Sequence, residues 1–156
     1  MDSPHVTIGM PVYNGERFLV ETLESLLAQT YRDFEIVISD NGSTDGTRRI
    51  CEAFARKDPR ILYHREEENR GAAWNYNRVV ALARGRYFKW AAHDDLCMPT
   101  YLERCVDALD SDPAVVLAYP DDQDIDEDGN PIDRKRRRMV RDPNAIKLIY
   151  KSLKNK

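Results

Sequence analysis

Long hydrophobic runs are missing from this sequence: no apolar stretch approaches the roughly 20 residues that a membrane-spanning helix needs. Nor does it open on a charged n-region followed by an apolar h-region, so neither export by a signal of its own nor integration into a bilayer is expected. Cysteine is scarce. Cys51, Cys97 and Cys105 are odd in number and form no Cys-x-x-Cys pair, which argues against a disulfide framework and for a reducing compartment, the cytoplasm. Neither sign of charge dominates: a net charge of −3 leaves no global field to recruit nucleic acid. No Gly-x-Gly-x-x-Gly follows the first predicted strand and no Gly-Lys-Ser/Thr loop occurs, which removes the dinucleotide fingerprint and the P-loop.

What is present is an ordinary globular composition, 156 residues with 42% hydrophobic and 33% charged, enough for one domain with a buried core. Short apolar runs alternate with stretches of helical period. Val6 to Tyr13 reads as a strand stopped at Pro11, which cannot donate to a central ladder, and Asn14-Gly15 turns the chain. Leu19, Leu23, Leu26 and Leu27 form the stripe of a helix over 16–29. A second strand, 34–39, leads through turn residues to a helix that Ser43 or Thr44 should cap and Asp58-Pro59 should end. Ile61 to His64 is a third strand. A helix over 72–83, with Ala73, Asn77, Val80 and Ala81 on one face, is closed by Gly85. Tyr87 to Ala92 reads as a strand buried on both faces, Pro99 opens a helix with a Leu102, Val106 and Leu109 stripe, and Ala114 to Tyr119 reads as a fifth strand.

This alternation predicts an α/β fold, a three-layer αβα sandwich around a mostly parallel sheet. Ligands of such sheets bind beyond the carboxyl ends of the strands. Polar residues collect there: 11–16, 40–45, 69–71 and His93-Asp94-Asp95. Two adjacent carboxylates repel unless a cation sits beside them, and an oxygen-only pair suits Mg²⁺ or Mn²⁺ completed by substrate phosphates. Asp40 can accept hydrogen bonds from a base or ribose, Arg70 offers a fork of donors, and Tyr13 offers a face for stacking.

Met10-Pro11-Val12-Tyr13-Asn14-Gly15-Glu16, Ile38 to Thr47, Asn69-Arg70-Gly71, Gly85-Arg86-Tyr87 and His93-Asp94-Asp95 with Met98-Pro99 resemble, in order and spacing, the nucleotide-binding half of glycosyltransferase family 2. The resemblance covers roughly residues 4 to 132. It implies the GT-A fold, a nucleotide-diphospho-sugar donor, usually uridine-linked, and inversion at the anomeric carbon. It also implies that Pro11, Tyr13, Glu16, Asp40, Asn41, Arg70 and Asp94 serve the nucleotide sugar, with Asp40 the uracil-binding aspartate and Arg70 its partner. Asp95, with Asp94, would be the Mn²⁺ or Mg²⁺ ligand. His93 departs from the acidic residue common at its place. The family's catalytic base lies further downstream, in an acceptor-binding half for which this chain is too short. None of Asp121, Asp122, Asp124, Asp126 and Asp128 sits where that base should be, so no base is assigned.

The expectation is therefore a donor-binding domain over 1–133, a truncated portion of a longer transferase whose acceptor, a saccharide, a lipid-linked sugar or a protein, is left open. The alternative is a non-catalytic nucleotide-binding or oligomerising module derived from the same fold. Residues 134–156 form a basic loop and an amphipathic helix over 144–153, which could start the acceptor part or touch the inner face of a membrane peripherally. Asp124 to Gly129 resembles half a calcium loop, but Lys135 stands where the bidentate glutamate belongs, so a turn between two strands, with Asp128-Gly129-Asn130-Pro131 at its tip, is expected. His93, Cys97 and Cys105 do not read as a zinc set.

Overall fold

The computed structural model describes residues 3–132. It divides into two compact units, residues 1–100 and 101–156. The basic run and the helix expected beyond residue 133 lie outside the described residues.

The first unit holds strands β1 (Val6–Val12), β2 (Phe34–Asp40), β3 (Ile61–Arg65) and β4 (Tyr87–Trp90), and helices α1 (Leu19–Leu27), α2 (Thr47–Lys57) and α3 (Ala72–Leu82). All paired strands run parallel, in the order β3-β2-β1-β4. Right-handed crossovers from β1 to β2 to β3 put α1 and α2 on one face, and the return from β3 to β4 puts α3 on the other. Accordingly α1 packs beside α2, while α3 lies on β1 and β2. The strand order reverses between β1 and β4, so the site expected for ligands is the carboxyl edge at that point.

β1 and β2 are buried along their whole length, as parallel strands covered on both faces must be. Their pleat assigns side chains to layers. A Cβ on Gly9 would lie 2.9 Å from Cβ of Val79 in α3, so Thr7, Gly9 and Pro11 face α3 while Ile8, Met10 and Val12 face α1 and α2. In register, Ser39 stands beside Pro11 and Asp40 beside Val12. Ser39 thus faces α3, and Asp40 faces α2.

Several expectations change. β1 continues through Pro11 to Val12 because pairing with β4 ends at Gly9, so the missing N–H falls where no ladder partner stands. β4 is an edge strand among the described residues, with Tyr87, Phe88 and Lys89 half-buried and Trp90 exposed, rather than one buried on both faces. Neither Ser43 nor Thr44 caps α2; its N-cap is Gly46. The buried residues of α3 are Asn75 and Val79, whereas Ala73, Asn77 and Ala81 are exposed. Gly85 is required by close approach, not by capping: its N–H donates to Thr7 Oγ1 at 2.8 Å, and a Cβ there would lie 2.5 Å from the Thr7 nitrogen.

In the second unit, α4 (Tyr101–Ser111) buries Leu102 and Val106. Residues 114–119 form no strand; Leu117 and Tyr119 are exposed, and without a pairing partner among the described residues strand propensity alone does not make one. Residues 124–132 form the expected turn but not the two strands expected to flank it. One bridge, Ile125 to Pro131, closes it, and Asp126 accepts the N–H groups of Asp128 and Asn130.

Candidate functional site

A cleft of about 210 Å³ opens at the carboxyl edge beside α3. Pro11, Val12 and Tyr13 form its β1 wall, and Asn41 and Asn69 close one side. Ala72, Asn75 and Tyr76 bring the start of α3 to it, and His93 completes it from the segment after β4. It combines apolar walls with a few convergent polar groups, as small-molecule sites do.

Local chemistry explains why these residues meet. Asn14 adopts a positive φ of 51°, tolerable for asparagine, and its Oδ1 accepts the Thr44 N–H while its own N–H donates to Ser43 Oγ. The turn after β1 is thereby tied to the turn after β2. Asn41 ties in the third turn: its Nδ2 donates to Asn69 Oδ1 and Gly71 O, and its Oδ1 accepts the Arg70 N–H at 2.9 Å. Gly42, at φ +75°, must be glycine, because a Cβ would also lie 2.7 Å from the Glu68 carbonyl carbon.

The segment carrying the two carboxylates is fastened to α1. Thr22 Oγ1 donates to His93 O, Ser25 Oγ accepts the Cys97 N–H, and buried Gln29 donates through Nε2 to Met98 O at 2.9 Å and to Cys97 O at 3.3 Å. His93 also packs so closely on Gly15 that a Cβ there would lie 2.7 Å from its ring. Asp94 and Asp95 follow, both exposed. Among the described residues no group of three or more metal-ligating side chains forms. The donor set is therefore two exposed carboxylates, which fits a hard divalent ion whose coordination a bound diphosphate and water complete, and not one caged by protein alone.

The expected site residues separate into two groups. Pro11, Tyr13 and Asn41 line the cleft, and Asp94 and Asp95 follow its His93 wall. Asp40 does not reach it. Its carboxylate is fully buried on the α2 side, where Oδ1 accepts the Ser43 N–H, Oδ2 accepts the Tyr63 hydroxyl at 2.6 Å, and Arg65 Nε lies 3.6 Å away. Burial, and then Asp40, push the Tyr63 hydroxyl pKa well above its ordinary value, so Tyr63 stays a donor. Burial pushes the neighbouring Cys51 thiol up to about 12, which leaves it unreactive.

Glu16 and Arg70 are also turned elsewhere. Glu16 Oε2 accepts the Gly46 N–H at the start of α2, and its own N–H donates to Asp45 Oδ2. Its carboxylate thus serves that helix terminus in place of the expected Ser or Thr cap. Arg70 lies over the Trp74 ring, 4.2 Å from its centroid, and faces Glu66 at 3.6 Å; Arg78 takes the other Glu66 oxygen. The cleft residues not assigned from sequence are Val12, Asn69, Ala72, Asn75, Tyr76 and His93. Three of them lie on α3, where the stripe expected through Ala73, Asn77, Val80 and Ala81 passes them by.

Against known proteins, the profile of Glycosyl transferase family 2 matches residues 7–155. Chondroitin synthase of Escherichia coli is 36% identical over 127 residues, covering 81% of this chain and 18% of that protein. The solved S. aureus TarS fragment 1–349 in complex with UDP-GlcNAc superposes with a TM-score of 0.64 at 28% identity, covering 68% of this chain and 31% of that one. A Pyrobaculum calidifontis mannosyltransferase, solved with GDP-Man and Mn²⁺, superposes with a TM-score of 0.55 at 30% identity, covering 62% and 29%. The chain spans less than a third of each of these proteins.

Proposed function

Because the chain belongs to glycosyl transferase family 2 and has the GT-A fold, we propose that it is the donor-binding portion of a metal-dependent, inverting glycosyltransferase that takes a nucleoside diphosphate sugar, a UDP-sugar in the first instance. One observation carries this reading: His93 lines the cleft at the β1/β4 switch point, and the exposed Asp94-Asp95 pair follows it directly in the chain. With a base in the cleft, a diphosphate would extend toward the segment that carries these carboxylates. That two solved relatives hold UDP-GlcNAc and GDP-Man with Mn²⁺ supports a nucleotide-sugar ligand and a divalent ion of the same class.

Each part has a task. Tyr13, 44% exposed at the cleft, offers a ring face to a base, and Pro11 gives a rigid wall beneath it. Asp95, assisted by Asp94, would hold Mg²⁺ or Mn²⁺, which when bound neutralises a diphosphate leaving group. Thr22, Ser25 and Gln29 keep the 93–98 segment where those carboxylates are useful. Inversion also needs a base for the acceptor hydroxyl. The aspartates at 121, 122, 124, 126 and 128 are exposed and none is assigned that role; the base is expected from sequence of the whole transferase beyond this span.

Isothermal titration with UDP tests the reading. Binding that needs Mn²⁺ or Mg²⁺, and that Asp95→Ala weakens by about tenfold or more with the fold intact, is the expected result. No binding at millimolar UDP with metal present would contradict it. The alternative, a non-catalytic nucleotide-binding or oligomerising module, rests on the unassigned base: it predicts the same binding but no hydrolysis or transfer of UDP-sugars once the rest of a full-length transferase is joined to this chain.

A further inference from the structure

The surface that α3 turns to solvent differs in chemistry from the rest of the chain. Of all residues 33% are charged, yet Ala72, Ala73, Tyr76, Asn77 and Ala81, the exposed positions of α3, carry no charge. The one charged residue of the helix, Arg78, is turned to Glu66 and to the Trp74 ring. The uncharged surface continues onto the end of β4. Trp90 stands in register with Gly9, hence on the α3 side of the sheet. Its Nε1 donates to Tyr76 O at 3.3 Å, and the Phe88 and Trp90 rings pack edge to face with centroids 4.8 Å apart, so the indole is held in one orientation. It is nevertheless 41% exposed, and Tyr76 is 46% exposed.

What such a surface can hold follows from what it lacks. Without cations it does not recruit nucleic acid or an acidic partner. With alanines and an amide around two rings, it is less apolar than the centre of a stable protein interface. A carbohydrate fits it better. The axial C–H bonds on one face of a pyranose, polarised by the ring's oxygens, rest on the negative face of an aromatic ring. Because its N–H is already engaged by Tyr76 O, the Trp90 indole offers that face alone, and the exposed Asn77 amide supplies donors and an acceptor for hydroxyl groups. Tyr76 is also a wall of the cleft, and Trp90 stands just before the 91–95 segment, so the surface adjoins the proposed donor site.

We propose that Trp90 and Tyr76 form a stacking platform for a pyranose ring of the acceptor, one of β-gluco or β-galacto configuration, whose axial C–H bonds gather on one face. This chain then contributes one wall of the acceptor site, and the group that receives the transferred sugar is itself a sugar. The inference rests on the transferase reading above and names its acceptor class.

Saturation-transfer NMR tests it, with methyl β-glucoside and methyl β-galactoside as probes and glucitol, which has the hydroxyl groups but no ring, as the control. The native protein should transfer saturation to at least one glycoside, most strongly to its axial ring protons, and not to glucitol. Trp90→Ala, checked for folding by circular dichroism, should reduce that transfer about fivefold or more. The ratio of its UDP-glucose and UDP affinities, measured with Mn²⁺, should stay within about twofold of the native ratio. A larger fall in that ratio would give the platform to the donor's own sugar and overturn the acceptor assignment. The proton pattern is read in the native protein, so the test stands even where the variant does not fold. Equal transfer to glucitol, no transfer at tens of millimolar glycoside, or transfer that survives in folded Trp90→Ala overturns the inference. So does a dimer in sedimentation that Trp90→Ala dissociates, which would give the surface to a second copy. Glycoside and UDP binding are scored separately: loss of the first with UDP binding intact overturns this inference alone, and absence of UDP binding overturns the functional reading on which it rests.

Discussion

Asp40 is fully buried with three partners, the Ser43 N–H, the Tyr63 hydroxyl and Arg65. Removing one side of such a set leaves the others unsatisfied, so Asp40→Ala should lower stability by about 3 kcal/mol, read by chemical denaturation. Nucleotide affinity per folded molecule should change far less. Glu35 is a second buried carboxylate, at the opposite end of β2: Thr7 Oγ1 donates to it at 2.8 Å, Arg84 Nε donates at 3.0 Å, and the two brace the start of β4. Burial works against its charge, but the hydrogen bonds from Arg84 and Thr7 outweigh burial and hold its pKa below the ordinary carboxylate value. A folded pKa below the unfolded one contributes stability that is present above the unfolded value, near pH 4.5, and is lost as pH falls through the folded value. The melting temperature should therefore fall steeply below about pH 4.5 in the native protein and less steeply in Glu35→Gln. Equal slopes would show that Glu35 is not the coupled group.

Among the elements, α1 has a task beyond covering the sheet. Its Leu19, Leu23 and Leu26 are buried in the core, while Thr22, Ser25 and the following Gln29 hold the segment that carries Asp94 and Asp95. Gln29→Leu leaves the Cys97 and Met98 carbonyls without that donor, so hydrogen exchange should quicken over 93–99, at a cost of about 1–3 kcal/mol. Metal-dependent UDP binding should weaken with it; unchanged exchange there would mean that α1 does not position the carboxylates. The approach of the α3–β4 turn to β1 is tested by Gly85→Ala. A Cβ there meets backbone 2.5 Å away rather than a movable side chain, so the loss should exceed about 2 kcal/mol.

For the molecule as a whole, the alternation of elements was legible because each strand and helix is bounded by turn residues such as Asn14-Gly15 and Asp58-Pro59. What could not be read was the face each buried residue takes. β1 and β2 are buried along their whole length, polar residues included, so a polar residue at a strand end is no sign of exposure, and Asp40 looks as available as Asn41 although the pleat sends it to α2. Asn75 was missed because the stripe drawn through Ala73, Asn77, Val80 and Ala81 leaves it off the buried face, whereas strand-end carbonyls needing donors draw it into the core. The run 114–119 had strand composition, but composition does not provide a neighbour to pair with. The cleft and the carboxylate pair nonetheless lie at the sheet edge where the strand order, once known, directs attention.

The central claim is that a nucleoside diphosphate occupies this edge with its base in the α3-side cleft and its phosphates toward Asp94-Asp95. The most direct measurement is backbone-amide chemical-shift mapping as UDP and Mg²⁺ are added. Saturable shifts concentrated at Tyr13, Asn41, Asn69, Asn75, His93 and Asp95 are the predicted result. Shifts confined to other surfaces, or none at millimolar UDP, would contradict it.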